Sequence, residues 1–114
     1  MIQILHIIAA ILTIATGLYS LIRPKAVTGF TGLVPNGARG ITEIRAVLGA
    51  FFVALGAAPI IWNSAPMYLM LGVAYMGMAL VRAISMVLDK SLMRSNLISL
   101  ATDIVLGIML ILSG

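Results

Sequence analysis

The sequence predicts an all-α integral membrane protein: a single four-helix bundle in up-down-up-down order, with a Gly/Pro-rich loop between helices 1 and 2. Three observations predict it. Of 114 residues, 62% are hydrophobic and only 9% charged, whereas soluble domains hold about 45–50% apolar and about 25% charged residues. A soluble chain this short has no core large enough to hide so much apolar surface, so lipid has to be its solvent. Finally, four stretches reach the roughly 20 mostly apolar residues that a spanning helix needs: 2–22, 41–62, 66–88 and 93–112. Together they occupy the whole chain, 1–114, as one four-span domain.

The first stretch has no basic residues before its apolar run, and that run is longer than the roughly 7–15 residues of a signal-peptide core. It is therefore read as a retained span. Arg23-Pro24 ends it, because proline cannot continue the helix. The connection over 23–40 holds Gly29, Gly32, Gly37, Gly40, Pro24 and Pro35, and the step Thr28-Gly29-Phe30 recurs as Thr31-Gly32-Leu33. A plain loop, a short interfacial helix over 24–30 and a lid over a cavity at the bundle mouth are all compatible with it. A phosphate-cradling glycine loop is not, since the Walker spacing and its Lys-Ser/Thr ending are absent. The second break, Trp62-Asn63-Ser64-Ala65-Pro66, is a tight turn with Pro66 in the first turn of the next helix. Asp89-Lys90-Ser91 makes the third. Such short connections imply antiparallel neighbours.

All seven Lys and Arg fall on one side of this layout: Arg23, Lys25, Arg39 and Arg45 around the first connection, and Arg82, Lys90 and Arg94 around the third. The positive-inside rule puts that side in the cytoplasm and both termini outside, in a bacterial inner membrane. Trp62 and Tyr68 suit the outer aromatic belt, and Tyr19 and Phe30 the inner one. The formal charge of +4 thus reads as orientation and not as nucleic-acid binding. The absence of cysteine excludes disulfides, thiol redox relays and thiolate metal sites. His6 is the sole histidine, without a neighbouring carboxylate, so neither a bis-histidine haem nor a metal site is expected, and no cofactor is. It reads as an interfacial residue near the outer surface.

Polar residues inside a span are rare and usually face the bundle interior. Here each helix carries them on one stripe: His6, Thr13, Thr16 and Ser20; Thr42, Arg45, Gly49 and Gly56, with Glu43 beside them; Tyr75, Arg82, Ser85 and Asp89; Asn96, Ser99, Asp103 and Gly107. At about 1.5 Å of rise per residue, Arg82 lies roughly 9 Å and Asp103 roughly 15 Å into the bilayer. An isolated aspartate at that depth costs about 3 kcal/mol or more, so it should pair with a cation or take up a proton. The expected site is a buried polar cluster of Glu43, Arg45, Arg82 and Asp103, lined by Tyr75, Thr16, Ser20 and Ser99. Plainer roles compete. Interhelical ion pairs also pin register, Arg39 and Glu43 suit an ordinary i,i+4 surface pair, and Arg45 has the reach to snorkel to headgroups. The eight methionines are packing filler. Ala46, Ala50, Ala54 and Ala58 form a small-residue face that suits close helix contact, within the bundle or in a homo-oligomer.

The four-span size invites comparison with small multidrug resistance transporters, but this chain has no acid in its first helix, and its one-sided charge opposes dual insertion. The closer resemblance rests on ATGLYSLIRP ending the first helix, GITEIRAVLGAFF opening the second and YMGMALVRAISMVLD in the third. On these stretches the chain resembles an uncharacterised family of small bacterial four-helix membrane proteins with a domain of unknown function. The resemblance implies a four-helix bundle in a bacterial inner membrane and brings no activity. A looser likeness to DoxX-like proteins is one of layout only.

Three functions follow from the residues. The first is a binding or transport module whose buried polar cluster takes a small amphiphilic or lipid-like ligand, with Arg45 and Arg82 on an anionic headgroup. The second is an accessory or assembly subunit of a larger membrane complex. The third is a membrane-embedded enzyme using Glu43 and Asp103 as an acid/base pair, for which no nucleophile or metal cluster speaks.

Overall fold

The computed structural model describes residues 2–112. Helix α1 covers Ile2–Ile22 and stops where Arg23, held in a non-helical conformation (φ −125°, ψ 68°), precedes Pro24. A 3-10 turn (Pro24–Val27) and a single helical turn, α2 (Thr28–Thr31), follow, and Gly32 closes α2 in the left-handed region at φ 77°. Of the alternatives for the first connection, its opening residues are thus helical.

The second long helix begins at Gly37, earlier than residue 41. Gly37 takes φ 74° and completes the turn out of Asn36. Beyond it nothing resists helix, and the bonds Thr42 to the Ala38 carbonyl and Arg39 to Glu43 support the added turn. This helix runs without a break to Trp62 as α3 (Gly37–Glu43), a π-helical segment (Ile44–Phe51) and α4 (Phe52–Trp62). Asn63 ends it in the left-handed conformation (φ 46°), and the Ser64 hydroxyl accepts from the Met67 amide to start α5 (Ala65–Leu88). Lys90, also left-handed, turns the chain into α6 (Arg94–Ile111).

Among the described residues, four helices are long and apolar enough to cross a membrane: α1, the continuous Gly37–Trp62 helix, α5 and α6. Their outer faces carry large apolar side chains such as Ile11, Phe51, Val87 and Val105, which are exposed. In water that surface would far exceed the patches a monomer tolerates.

Glycine sets the tight contacts. A Cβ on Gly17 would stand 2.7 Å from the Gly49 carbonyl, and one on Gly56 would stand 2.6 Å from that of Ala10. The contacts run opposite ways along the two helices: residue 10 meets 56, 17 meets 53, and 21 meets 49. In the same manner α5 meets α6 at Gly72 and Gly107, where a Cβ would strike Leu110 and Met76. Small residues at a lipid-soluble interface let backbones approach and gain dispersion energy. Most of the alanine face is turned outward: Ala46, Ala50 and Ala54 are exposed, and Ala58 is half-buried. A π turn pairs residues five apart, so it rotates the later positions away from the face an unbroken α-helix would give them. Gly49 and Gly56 end up buried against α1, while Thr42 and Arg45 from the same expected stripe are exposed.

The two tight pairs meet through α1 against α6 and through α4 against α5. The buried core there joins Ala9, Ala10, Tyr68, Leu71, Tyr75, Leu106 and Leu110. It lies toward the end where His6, Tyr68 and Leu112 come together. Tyr68 is therefore not a belt residue: it is buried, stacked 5.0 Å from His6, because its ring completes this core. The Cα envelope measures 42 × 30 × 16 Å, so the bundle is a flattened slab. Two concavities, lined by Arg82 and by Arg23, Lys25 and Arg45, lie toward the end that carries the basic residues.

Candidate functional site

Arg82 reaches from α5 to α6. Its Nε donates to Asp103 Oδ2 at 3.0 Å, and one terminal nitrogen donates to Asn96 Oδ1 at 3.5 Å. Asn96 is oriented in turn by its own bond to the Ser91 carbonyl at 2.9 Å. The pair is asymmetric in exposure, since the Asp103 side chain is 9% exposed and that of Arg82 30%. The carboxylate is thus sunk between helices while the guanidinium reaches the surface of the protein. A guanidinium has five N–H donors, and the two bonds named leave at least three for another acceptor.

Those donors face a groove of about 560 Å³ between α5 and α6, lined by the polar Arg82, Ser85, Ser91 and Asn96 interleaved with Gly77, Met78, Val81 and Met86. Gly77 leaves it room, for no atom lies within 4 Å of where a Cβ would stand. The methionines give it walls that adapt to shape. Among the described residues no three His, Cys, Asp or Glu side chains gather as metal ligands.

The four charges expected to form one cluster divide into three places. Arg82 and Asp103 meet. Glu43 turns outward and accepts from Arg39 at 2.6 Å on the exposed face of the second helix, because the i,i+4 partner is nearer than any interhelical one. Arg45 donates through Nε to the Leu21 carbonyl at 3.2 Å, at the end of α1. Tyr75 is buried beside the site and bonds Thr13 at 2.5 Å. Thr13 already gives its single proton to the Ala9 carbonyl, so Tyr75 is the donor. Thr16 and Ser20 satisfy their hydroxyls on carbonyls of their own helix, Leu12 and Thr16, and do not line the groove. Ser99 is half-buried on α6 and lies outside the groove lining.

Four polar participants escaped the expected site: Ser85, on the stripe of Arg82, and Asn96, Ser91 and Thr13. Asn96 stands on the same stripe as Asp103, and Thr13 on that of Ser20, so helical spacing contained the signal. Ser91 acts through a backbone carbonyl in a turn, where side-chain pattern is silent.

At the other end of the slab, His6 Nε2 lies 2.7 Å from the Leu112 carbonyl. A carbonyl only accepts, so this nitrogen carries the proton.

No curated protein and no solved structure matches this chain. The family model that does match is not a DoxX-like one and covers residues 1–113. The chain belongs to the family described as Domain of unknown function (DUF4345).

Proposed function

We propose that this chain is a multi-pass protein of the bacterial inner membrane, an up-down-up-down bundle with both termini outside, that binds or carries a small anionic amphiphile in the groove between α5 and α6. The observation that carries the reading is the guanidinium of Arg82, anchored by buried Asp103 and still presenting free donors to a groove whose lining also holds Met78, Val81 and Met86. A carboxylate or phosphate headgroup would take those donors, as planar guanidinium suits such oxyanions. The tail would lie along Met78, Val81 and Met86. Placement at the cytoplasmic side follows from the seven basic residues clustered at that end.

Native mass spectrometry of the full chain released from native membrane discs tests this. A discrete adduct is expected on the wild type and lost from Gly77→Leu, which fills the groove without touching the Arg82–Asp103 pair. A bare wild-type chain, or an adduct equally present on Gly77→Leu, rejects the reading.

A second reading, an accessory or assembly subunit of a larger membrane complex, is supported by exposed Ala46, Ala50 and Ala54 on the second long helix. It predicts stoichiometric co-purification with another membrane protein, lost on Ala50→Leu.

A further inference from the structure

The chain has three acidic residues, and each is engaged: Glu43 with Arg39, Asp103 with Arg82, and Asp89 with the Ser85 hydroxyl at 2.6 Å. Of the remaining cations, three share one place. Arg23, Lys25 and Arg45 line a hollow of about 510 Å³ where the end of α1 meets the start of the second long helix, with Ile22, Pro24 and Ile41 around them. No acidic residue lines it.

Local structure brings the three together. Pro24 breaks α1 and is buried, and the 3-10 turn it opens keeps Lys25 beside Arg23. Arg45 comes from the π-helical segment and is tied down by its bond to Leu21. The Leu21 carbonyl sits in the last turn of α1, where helical acceptors run out of amide partners, so Arg45 Nε acts as a cap. That bond fixes the base of the guanidinium and leaves its terminal nitrogens, the fork that grips oxyanions, uncommitted. Three like charges held in one hollow repel one another unless an anion sits among them.

We infer that this hollow binds a phosphate group, carried by an anionic lipid headgroup or by free inorganic phosphate. Arg and Lys donors without a competing carboxylate suit phosphate, which accepts from several donors at once. Ile22 and Ile41 give the hollow an apolar rim, which suits a phosphate presented from the edge of a bilayer. The site is separate from the Arg82 groove: it belongs to the other helix pair, and its charge is not already neutralised by an acid. It does not rest on the groove reading.

The test places the full chain in nanodiscs of phosphatidylcholine containing a minor share of phosphatidylglycerol and weighs the lipids that stay bound on release. Two double variants are compared with the wild type: Arg23→Gln/Lys25→Gln in the hollow and Lys90→Gln/Arg94→Gln outside it. All four positions are exposed, and each variant removes the same charge. The wild type is expected to retain phosphatidylglycerol preferentially. The hollow variant should lose that preference by about twenty-five-fold, at about five-fold per basic residue near an anionic surface. The outer variant should stay within about three-fold, because screened charges at a distance contribute little. The loss caused by Arg23→Gln/Lys25→Gln should be the same fold-change with and without Gly77→Leu, which separates this site from the groove. In detergent without lipid, inorganic phosphate is titrated against the same proteins. Phosphate binding that needs Arg23 and Lys25, without any lipid preference, assigns the site to free phosphate. Equal losses in both double variants, or neither lipid preference nor phosphate binding in the wild type, overturn the proposal.

Discussion

Arg82 and Asp103 form the only ion pair between helices among the described residues, with Nε and Oδ2 3.0 Å apart. They join α5 to α6 on the basic side of the glycine contact at Gly72 and Gly107. Breaking one partner strands the other. Asp103→Leu leaves a cation that still reaches the surface, while Arg82→Met leaves a carboxylate in a site 9% exposed. Removing one partner of a buried pair costs about 3–5 kcal/mol, and the partial exposure of Arg82 puts Asp103→Leu below that range. Arg82→Met should be the more damaging of the two, and the double variant Arg82→Met/Asp103→Leu should recover much of the loss. Unfolding midpoints in mixed detergent, read as a double-mutant cycle, check this. Strictly additive losses would show that the pair carries no coupling.

The glycines make a sharper test of packing. Gly17→Ala and Gly56→Ala each set a methyl against a backbone carbonyl at 2.7 and 2.6 Å, and backbone cannot rotate aside. Each should destabilise by about 1–3 kcal/mol. Gly77→Ala has open space and should be neutral or gain up to about 1 kcal/mol from helix propensity. Thermal unfolding of the three variants separates them, and equal behaviour would refute the close crossing of α1 on the second helix.

Such contacts show what sequence can and cannot reveal. Thr13, Ser20, Tyr75 and Asp103 sit on polar stripes, and all four are buried. Helical spacing carries that signal only in part, since Thr42, Arg45 and Asp89 stand on such stripes too and are exposed. Which stripe meets which is another matter. Thr16 and Ser20 close their hydrogen bonds within α1, and Glu43 closes its ion pair within the second helix, so none needs a neighbour. The alanine face had the right spacing for a crossing, but the backbones touch at Gly17, Gly49 and Gly56, where no Cβ intervenes. Arg45 and Gly49 both meet Leu21, yet only Gly49 is buried, because Arg45 sits at the open end of α1 and bonds a carbonyl of its last turn.

The bond between Thr13 and Tyr75 yields an asymmetric prediction. Tyr75→Phe removes the donor but leaves Thr13 bonded to Ala9, so nothing buried is orphaned. It should cost about 0.5–1.5 kcal/mol. Thr13→Val leaves the buried Tyr75 hydroxyl without its acceptor and should cost about 1–3 kcal/mol. Denaturation of both variants in one detergent decides the order. A larger loss in Tyr75→Phe would mean that the tyrosine hydroxyl serves a partner other than Thr13.

The orientation proposed from charge is open to direct measurement. All seven basic residues cluster around two connections, and the turn at Asn63 and Ser64 holds none. Loop cations resist transfer across an energised membrane, so the proposed orientation keeps the basic end inside. A reporter enzyme active only in the periplasm should work when fused after residue 112 or inserted at the Asn63 turn. It should fail when inserted at Asn36. A reporter that fluoresces only in the cytoplasm should give the opposite pattern. Changing Arg23, Lys25, Lys90 and Arg94 together to Gln should blur both patterns, because four of the seven orienting charges are then gone. Activity of the periplasmic reporter at Asn36 in the unaltered chain would invert the protein and place both the groove and the basic hollow on the outer face.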